Sequence, residues 1–375
     1  MISLFFYILI ICSSLLFFVL YGYAGKTNCV VSKPLYITQF DYFFALCPII
    51  ILSGLRYGIG ADYFTYESIY NTLHNASIYK YFFYHFANIG DYYTEIGWYI
   101  INRFFSPNYS SLLFIQQILI FLFLYKGLKF FKDTINPAFA LMVYCFTQLI
   151  YSWNGMRFTV AIVVLFSGFE YIINRNVIKW CITVLLAMLF HKTSVICLPF
   201  YFLTEFSSKK FNSFRNVLFY IFVLFFPALI KLLFIIAGFI PFFKRYLGSA
   251  VYIVGAFHFS PMFLFHIIPV ILPIYYYKKN YIKHDKVAKI LVRIYLLSIP
   301  FREIGMVNTM FTRLARFPQM VEVIFIPYII NSFSNKKRKM YMYAYYFIWY
   351  LFYFFYYALV NDQGTSVPYQ SIITF

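Results

Sequence analysis

The chain has 375 residues, of which 63% are hydrophobic and 11% charged, whereas about a quarter of the residues in a soluble domain are charged. This composition excludes an ordinary soluble protein and indicates an integral membrane protein. The formal net charge of +19 is explained by Lys and Arg in cytoplasmic loops, so we do not predict nucleic-acid binding from it.

Twelve apolar segments are long enough, or nearly so, to cross a bilayer, which takes roughly 20 residues. A shorter run at 96–105 is predicted to be interfacial or re-entrant. No soluble insertion interrupts the series, so residues 1–375 are predicted to form one all-α transmembrane domain. The predicted spans are 2–21, 40–55, 109–125, 138–153, 157–174, 177–191, 193–204, 217–238, 261–277, 287–303, 314–333 and 341–360.

Basic residues are unequally divided between the two sides that these spans define. One side receives clusters at 126–132, 278–289 and 336–339, and the positive-inside rule makes that side the cytoplasm. The other side receives two long loops, 56–97 and 239–260, and its basic residues lie mainly at the ends of spans. The sequence therefore predicts a multi-pass protein of the plasma membrane with a candidate site on the outer face.

Charged residues at the outer ends of the spans are the first functional candidates, because a charge there is costly without water, a partner or a ligand. Arg56 and Asp62 lie six residues apart, with two glycines between them that permit a tight backbone. They form either an ion pair that shapes the loop or part of a ligand site. Arg157 opens a span, where the helix N-terminus favours an anion; a solvated Arg is the alternative.

Three further residues lie on the same predicted side. His191 falls in a tight turn between two short spans, either as a packed residue or as a base. Arg313 and Arg316 share a helix face and suit a pyrophosphate, or else form a basic rim. Motifs for a zinc protease, a P-loop and a serine nucleophile are absent, and the six cysteines form no CxxC pair. No cofactor and no metal site are predicted.

The stretch 55–66, LRYGIGADYFTY, resembles the signature of the EpsG-type branch of Wzy-like polysaccharide polymerases, Arg-x-Gly-x-Gly-Thr-Asp-Tyr-x-x-Tyr. It departs from that pattern at Ala61, where Thr is usual. Other stretches are similar to further motifs of the family, the last of them more loosely: Glu95-Ile96-Gly97-Trp98, Gly155-Met156-Arg157, 186–194 around His191, and Val367-Pro368-Tyr369.

The resemblance implies a membrane glycosyltransferase of GT-C-like architecture at the outer face of the bacterial plasma membrane, acting in capsule, exopolysaccharide or O-antigen synthesis. Its donor and acceptor would both be oligosaccharide repeat units on undecaprenyl pyrophosphate, among membrane lipids. Chain-length regulator and flippase proteins are the expected protein partners. A lipid-linked oligosaccharide flippase, an O-antigen ligase and a membrane O-acyltransferase are the alternative functions.

The same resemblance suggests roles for the candidate residues. Pyrophosphate and substrate binding fall to Arg56, Arg157, Arg313, Arg316, Tyr63 and Tyr66. The base that deprotonates the acceptor hydroxyl is Asp62 or His191. We favour His191, because an ordinary imidazole titrates near neutral pH whereas a carboxylate beside Arg56 stays acidic.

Overall fold

The computed structural model describes residues 2–24, 39–87, 89–204, 286–305, 310–360 and 366–374, with scattered residues between 213 and 275. Within these residues the secondary structure is helical and contains no strand, apart from an isolated bridge between Arg56 and Ser371. The predicted all-α class is thus confirmed. The predicted loop 239–260 lies outside the described residues, as do most of the predicted spans 217–238 and 261–277.

The helices fall into two runs along the chain. In the first run they are α1 Ile2–Ala24, α2 Gln39–Gly54, α3 Tyr63–His74, α4 Ile78–Ala87, α5 Ile96–Ile100, α6 Tyr109–Phe130, α7 Pro137–Asn154, α8 Met156–Ser167, α9 Phe169–Ile173 and α10 Val177–Met188. In the second they are α11 Lys286–Leu296, α12 Ser298–Gly305, α13 Met310–Gln319, α14 Glu322–Ser332 and α15 Lys336–Leu359. Three 3₁₀ helices, Gly90–Tyr93, Lys192–Leu203 and Ile372–Thr374, and a π-helical turn, Ile101–Phe105, complete the described elements.

Four predicted spans differ from the observed helices, and the first of them, 157–174, is divided at Gly168 into α8 and α9. The run 193–204 is a 3₁₀ helix rather than an α-helix, since Pro199 inside it lacks an N–H donor and crowds the preceding turn. The run 287–303 is divided at Leu297 into α11 and α12. The run 314–333 is divided at 320–321, shortly after Pro318 in α13.

The predicted outer loop 56–97 contains two helices, α3 and α4. The buried face of α3 follows the three- and four-residue spacing of an amphipathic helix. Its buried residues are Tyr63, Tyr66, Ile69, Tyr70 and Leu73. Three of the aromatic residues of this loop, Tyr63, Tyr66 and Tyr70, therefore lie on the buried face of α3.

The chain divides into two compact units. The first comprises Met1–Tyr171, Ile178–Leu198 and Asn335–Phe375; the second comprises Ile172–Val177 and Pro199–Ser334. Within the first unit, α1 packs against α2 and α7, and α6 packs against α2 and α8. The end of α2 and the α7–α8 junction therefore belong to one helical bundle.

Two helical stretches of the described part are long and apolar enough to cross a membrane. They are Tyr109–Phe130 and Met156–Ile173, each with a mean hydropathy of 1.7. Shorter apolar helices are Phe5–Phe17, Tyr42–Gly54, Val177–Met188 and Lys192–Leu203. These lengths are consistent with a helical membrane protein, and the figure of twelve spans stays a prediction.

Candidate functional site

Residues 55–62, here called the motif loop, are fixed against the end of α7. Gly60 has φ +109°, and a Cβ on it would lie 2.7 Å from the carbonyl oxygen of Trp153. The backbone N–H of Asp62 donates to Oδ1 of Asn154 at 3.0 Å. Gly60 therefore lets the motif loop approach the backbone at the end of α7, a few residues before Arg157 in the sequence.

The two glycines of the motif loop offer a matched test of this packing. Gly58 also has a left-handed φ of +64°, but the nearest atom to an added Cβ is 3.6 Å away. Gly58→Ala should cost about 1 kcal/mol in backbone strain alone. Gly60→Ala adds a collision with backbone and should cost about 3 kcal/mol. Thermal unfolding in detergent measures both, and equal losses would contradict the packing described here.

Arg56 is fully buried at the end of α2. Its Nη1 donates to the carbonyl oxygen of Ser53, and its guanidinium lies 5.8 Å from the centre of the Trp153 ring. Burial lowers the pKa of Arg56 to about 10, so the side chain stays charged at neutral pH. Nε and Nη2 have no hydrogen-bond partner among the described residues. Asp62 makes no ion pair with Arg56, so the ion-pair alternative is wrong for this structure.

Residues 366–374, here called the C-terminal segment, pair with the motif loop. The N–H of Tyr57 donates to the carbonyl oxygen of Gln370 at 3.0 Å, and that of Ile372 donates to the carbonyl oxygen of Leu55 at 2.9 Å. The Tyr369 ring lies close enough to Arg56 for the two to interact electrostatically. The loose motif around Tyr369 was the one signal for this contact in the sequence.

Arg157, the second residue of α8, forms an ion pair with Glu95. Its Nη1 lies 2.6 Å from Oε2 of Glu95, and the two side chains are 13% and 10% exposed. The guanidinium also lies 6.0 Å from the ring centre of Tyr66 and 5.7 Å from that of Tyr93. Nε of Arg157 is buried and has no hydrogen-bond partner among the described residues.

Glu95 also joins Arg157 to the turn that carries His191. Its Oε1 accepts from the backbone N–H of Lys192 at 3.1 Å. Two residues on, the N–H of Gly97 donates to the carbonyl oxygen of Leu189 at 2.8 Å. In the sequence Glu95 stands out only as part of a family-like motif, and the structure gives it a central position.

His191 lies beside this ion pair. Its Nδ1 is 2.7 Å from Oγ1 of Thr193, and its ring meets the Phe158 ring edge-on at 4.9 Å between centres. Phe158 follows Arg157 in α8, and Lys192 bonds Glu95. The partly exposed imidazole is therefore held next to the Arg157–Glu95 pair, on one side by Phe158 and on the other by the bond from Lys192 to Glu95.

The remaining candidates of the motif loop and α3 differ in exposure. Asp62 is partly exposed, and its carboxylate makes no hydrogen bond among the described residues. Tyr63 and Tyr66 are buried; Tyr66 packs on Trp98 with ring centres 5.9 Å apart. Burial raises the pKa of Tyr66, and the charge of Asp62 raises it further, against the opposing effect of Arg157. The phenol therefore stays neutral beside Arg157.

Arg313 and Arg316 lie on α13 in the second unit. Arg313 is exposed and Arg316 is buried. Their part in the site stays a prediction. In the described part of the chain, no group of His, Cys, Asp and Glu could hold a metal ion.

The fold and this cluster define the class of the protein. An apolar, all-helical chain that places a guanidinium, a carboxylate and an imidazole together at the ends of its helices is a helical membrane protein with a polar site. The chain belongs to the EpsG family, whose model matches residues 40–371. The predicted family is confirmed, and it makes this a membrane protein of polysaccharide biosynthesis. No curated protein and no solved structure matches the chain.

Proposed function

We propose that the protein polymerises oligosaccharide repeat units carried on a polyprenyl pyrophosphate at the outer face of the bacterial plasma membrane. The observation that carries this proposal is the EpsG family match, whose span includes the Arg157–Glu95 pair beside His191. Glycosyl transfer from a pyrophosphate needs a cation for the leaving group and a base for the acceptor. The cluster supplies both types of group.

In the proposed reaction, an acceptor hydroxyl on one lipid-linked unit attacks the anomeric carbon of the growing glycan. A new glycosidic C–O bond forms as the C–O bond to the donor pyrophosphate breaks. The hydroxyl proton passes to His191, and the polyprenyl pyrophosphate leaves with its negative charge. Arg157 stabilises that charge through its unpartnered Nε, and Glu95 keeps the guanidinium in position.

The other candidates have supporting roles in this proposal. Arg56 is enclosed, so it acts by holding the motif loop and by its positive field. Asp62, with a partly exposed carboxylate, orients a sugar hydroxyl or the acceptor. Tyr63 and Tyr66 support the site from within its packed core.

Purified protein in proteoliposomes, supplied with a defined lipid-linked repeat unit, tests the proposal. We expect a ladder of glycans that lengthens by whole repeat units. Movement of the unit across the vesicle without elongation would identify a flippase. With a foreign acceptor added, transfer of the glycan to it would identify a ligase. With an activated acyl donor added, acylation of the repeat unit would identify an acyltransferase.

A further inference from the structure

An apolar groove of about 640 Å³ lies between α1 and α2 in the first unit. Its sides come from both helices, and one end is formed by the C-terminal segment. Representative lining residues are Phe6 and Phe17 of α1, Phe44 and Ile51 of α2, and Tyr369 and Ser371. Phe44 is 61% exposed and Ile51 is 50% exposed, so the groove opens sideways along the helices.

The groove has the length of one leaflet. Phe6 to Phe17 on α1 corresponds to about 16 Å of helix at ~1.5 Å per residue. Phe44 on α2 to Leu55, the residue after the end of α2, covers a similar length. The hydrocarbon core of a bilayer is about 30 Å thick. In the proposed orientation, with Leu55 at the outer end, the groove spans the outer half of that core.

Polarity is concentrated at the outer end of the groove. Tyr369 and Ser371 are there, and Ser371 forms the backbone bridge with Arg56. Burial raises the pKa of Tyr369 to about 12, and the positive charge of Arg56 opposes that rise. A charged guanidinium with two unpartnered nitrogens therefore lies directly behind the polar end of an apolar groove.

We propose that this groove binds the single polyisoprenoid chain of the lipid-linked donor, with the donor pyrophosphate at the Tyr369 end. An amphiphile with one apolar chain and an anionic head matches both the length of the groove and the position of the charge. The identity of the lipid as donor rests on the proposed function. The groove thereby aligns the pyrophosphate with the motif loop before transfer.

Photo-crosslinking tests the occupant directly. The probe is a polyprenyl pyrophosphate with a diazirine in its isoprenoid chain, incorporated in proteoliposomes with the full chain. We expect labelled peptides from α1 and α2, and loss of label when unlabelled polyprenyl phosphate is added in excess. If phosphatidylglycerol in the same excess removes the label equally well, the groove is an ordinary lipid-facing surface and the proposal is overturned.

A pair of tryptophan variants adds a quantitative test. Ile51→Trp fills the groove, whereas Leu9→Trp enlarges an exposed side chain of α1 outside the groove lining. Displacing about two methylene-sized groups of the chain corresponds to roughly tenfold in affinity. We therefore expect Ile51→Trp to lower crosslinking about tenfold and to raise KM for the long-chain donor by a similar factor, with kcat unchanged. Leu9→Trp should change neither quantity.

The two readouts separate the two proposals. Crosslinking needs no turnover, so competed labelling of α1 and α2 in a protein that forms no glycan ladder would reject the polymerase and retain the lipid groove. Normal crosslinking and normal KM in Ile51→Trp, with intact elongation by the wild type, would reject the groove and retain the polymerase.

Discussion

Arg157→Gln is expected to lower the rate of glycan elongation about 100- to 1,000-fold, the usual effect of removing one donor that stabilises developing charge. The guanidinium is oriented by Glu95 at 2.6 Å and retains an unpartnered Nε, which in the proposed mechanism meets the leaving pyrophosphate. Arg157→Lys should recover only part of the loss, because an ammonium lacks the planar fork of donors. Single-turnover ladder formation at equal protein levels measures the effect.

Variants of Glu95 test whether this carboxylate positions Arg157 for the reaction or only stabilises the fold. Removing one partner of a largely buried ion pair costs about 3 kcal/mol, so this variant should unfold at a lower temperature and elongate more slowly. In Glu95→Gln with Arg157→Gln, no charge is left uncompensated, and we expect the double variant to be more stable than the sum of the single losses predicts. Additive stability losses, or full activity in Arg157→Gln, would refute the role given to this pair.

The second large effect concerns the base. His191→Gln should lower elongation about 100-fold, within the range for general base catalysis. A neutral imidazole accepts the proton, so wild-type activity should rise with pH as the imidazolium of His191 loses its proton, and then level off. The variant should lose that rise, which a pH–rate profile shows directly.

Asp62→Asn is the comparison for this experiment. With Asp62 in a supporting role, its loss should slow elongation less than His191→Gln and leave the rise with pH intact. The reverse pattern, a deeper loss in Asp62→Asn with an unchanged pH profile in His191→Gln, would make Asp62 the base. Thr193 bonds Nδ1 of His191, so its loss could also change the pH dependence. The pH–rate profile of Thr193→Ala is therefore recorded as a control for both variants.

The sequence was sufficient to place single residues on helices and insufficient to pair them. Arg157 is predicted to open a span, and it is the second residue of α8. Its partner Glu95 lies 62 residues earlier in the chain, and hydrophobic periodicity carries no information about contacts at such a distance. The family-like motif around Glu95 indicated that the residue mattered, without indicating which cation it bonds.

Helix type and loop structure show a similar limit. The run 193–204 has the composition of a span, and only Pro199 within it signals a departure from the α-helix. In the predicted loop 56–97, the spacing of Tyr63, Tyr66 and Tyr70 matched a helix face, and α3 has these residues buried. The low hydropathy of that stretch favoured a loop because the spans around it were so much more apolar.

The pairing of the C-terminal segment with the motif loop has a consequence for biosynthesis. Leu55 and Tyr57 are hydrogen-bonded to residues 372 and 370. These partners lie more than 300 residues further along the chain and are translated last. Domains otherwise begin to fold as their N-terminal parts emerge. The motif loop, although translated early, therefore cannot adopt its final form until these late residues have been synthesised, which keeps the site incomplete while the intervening helices are still being inserted.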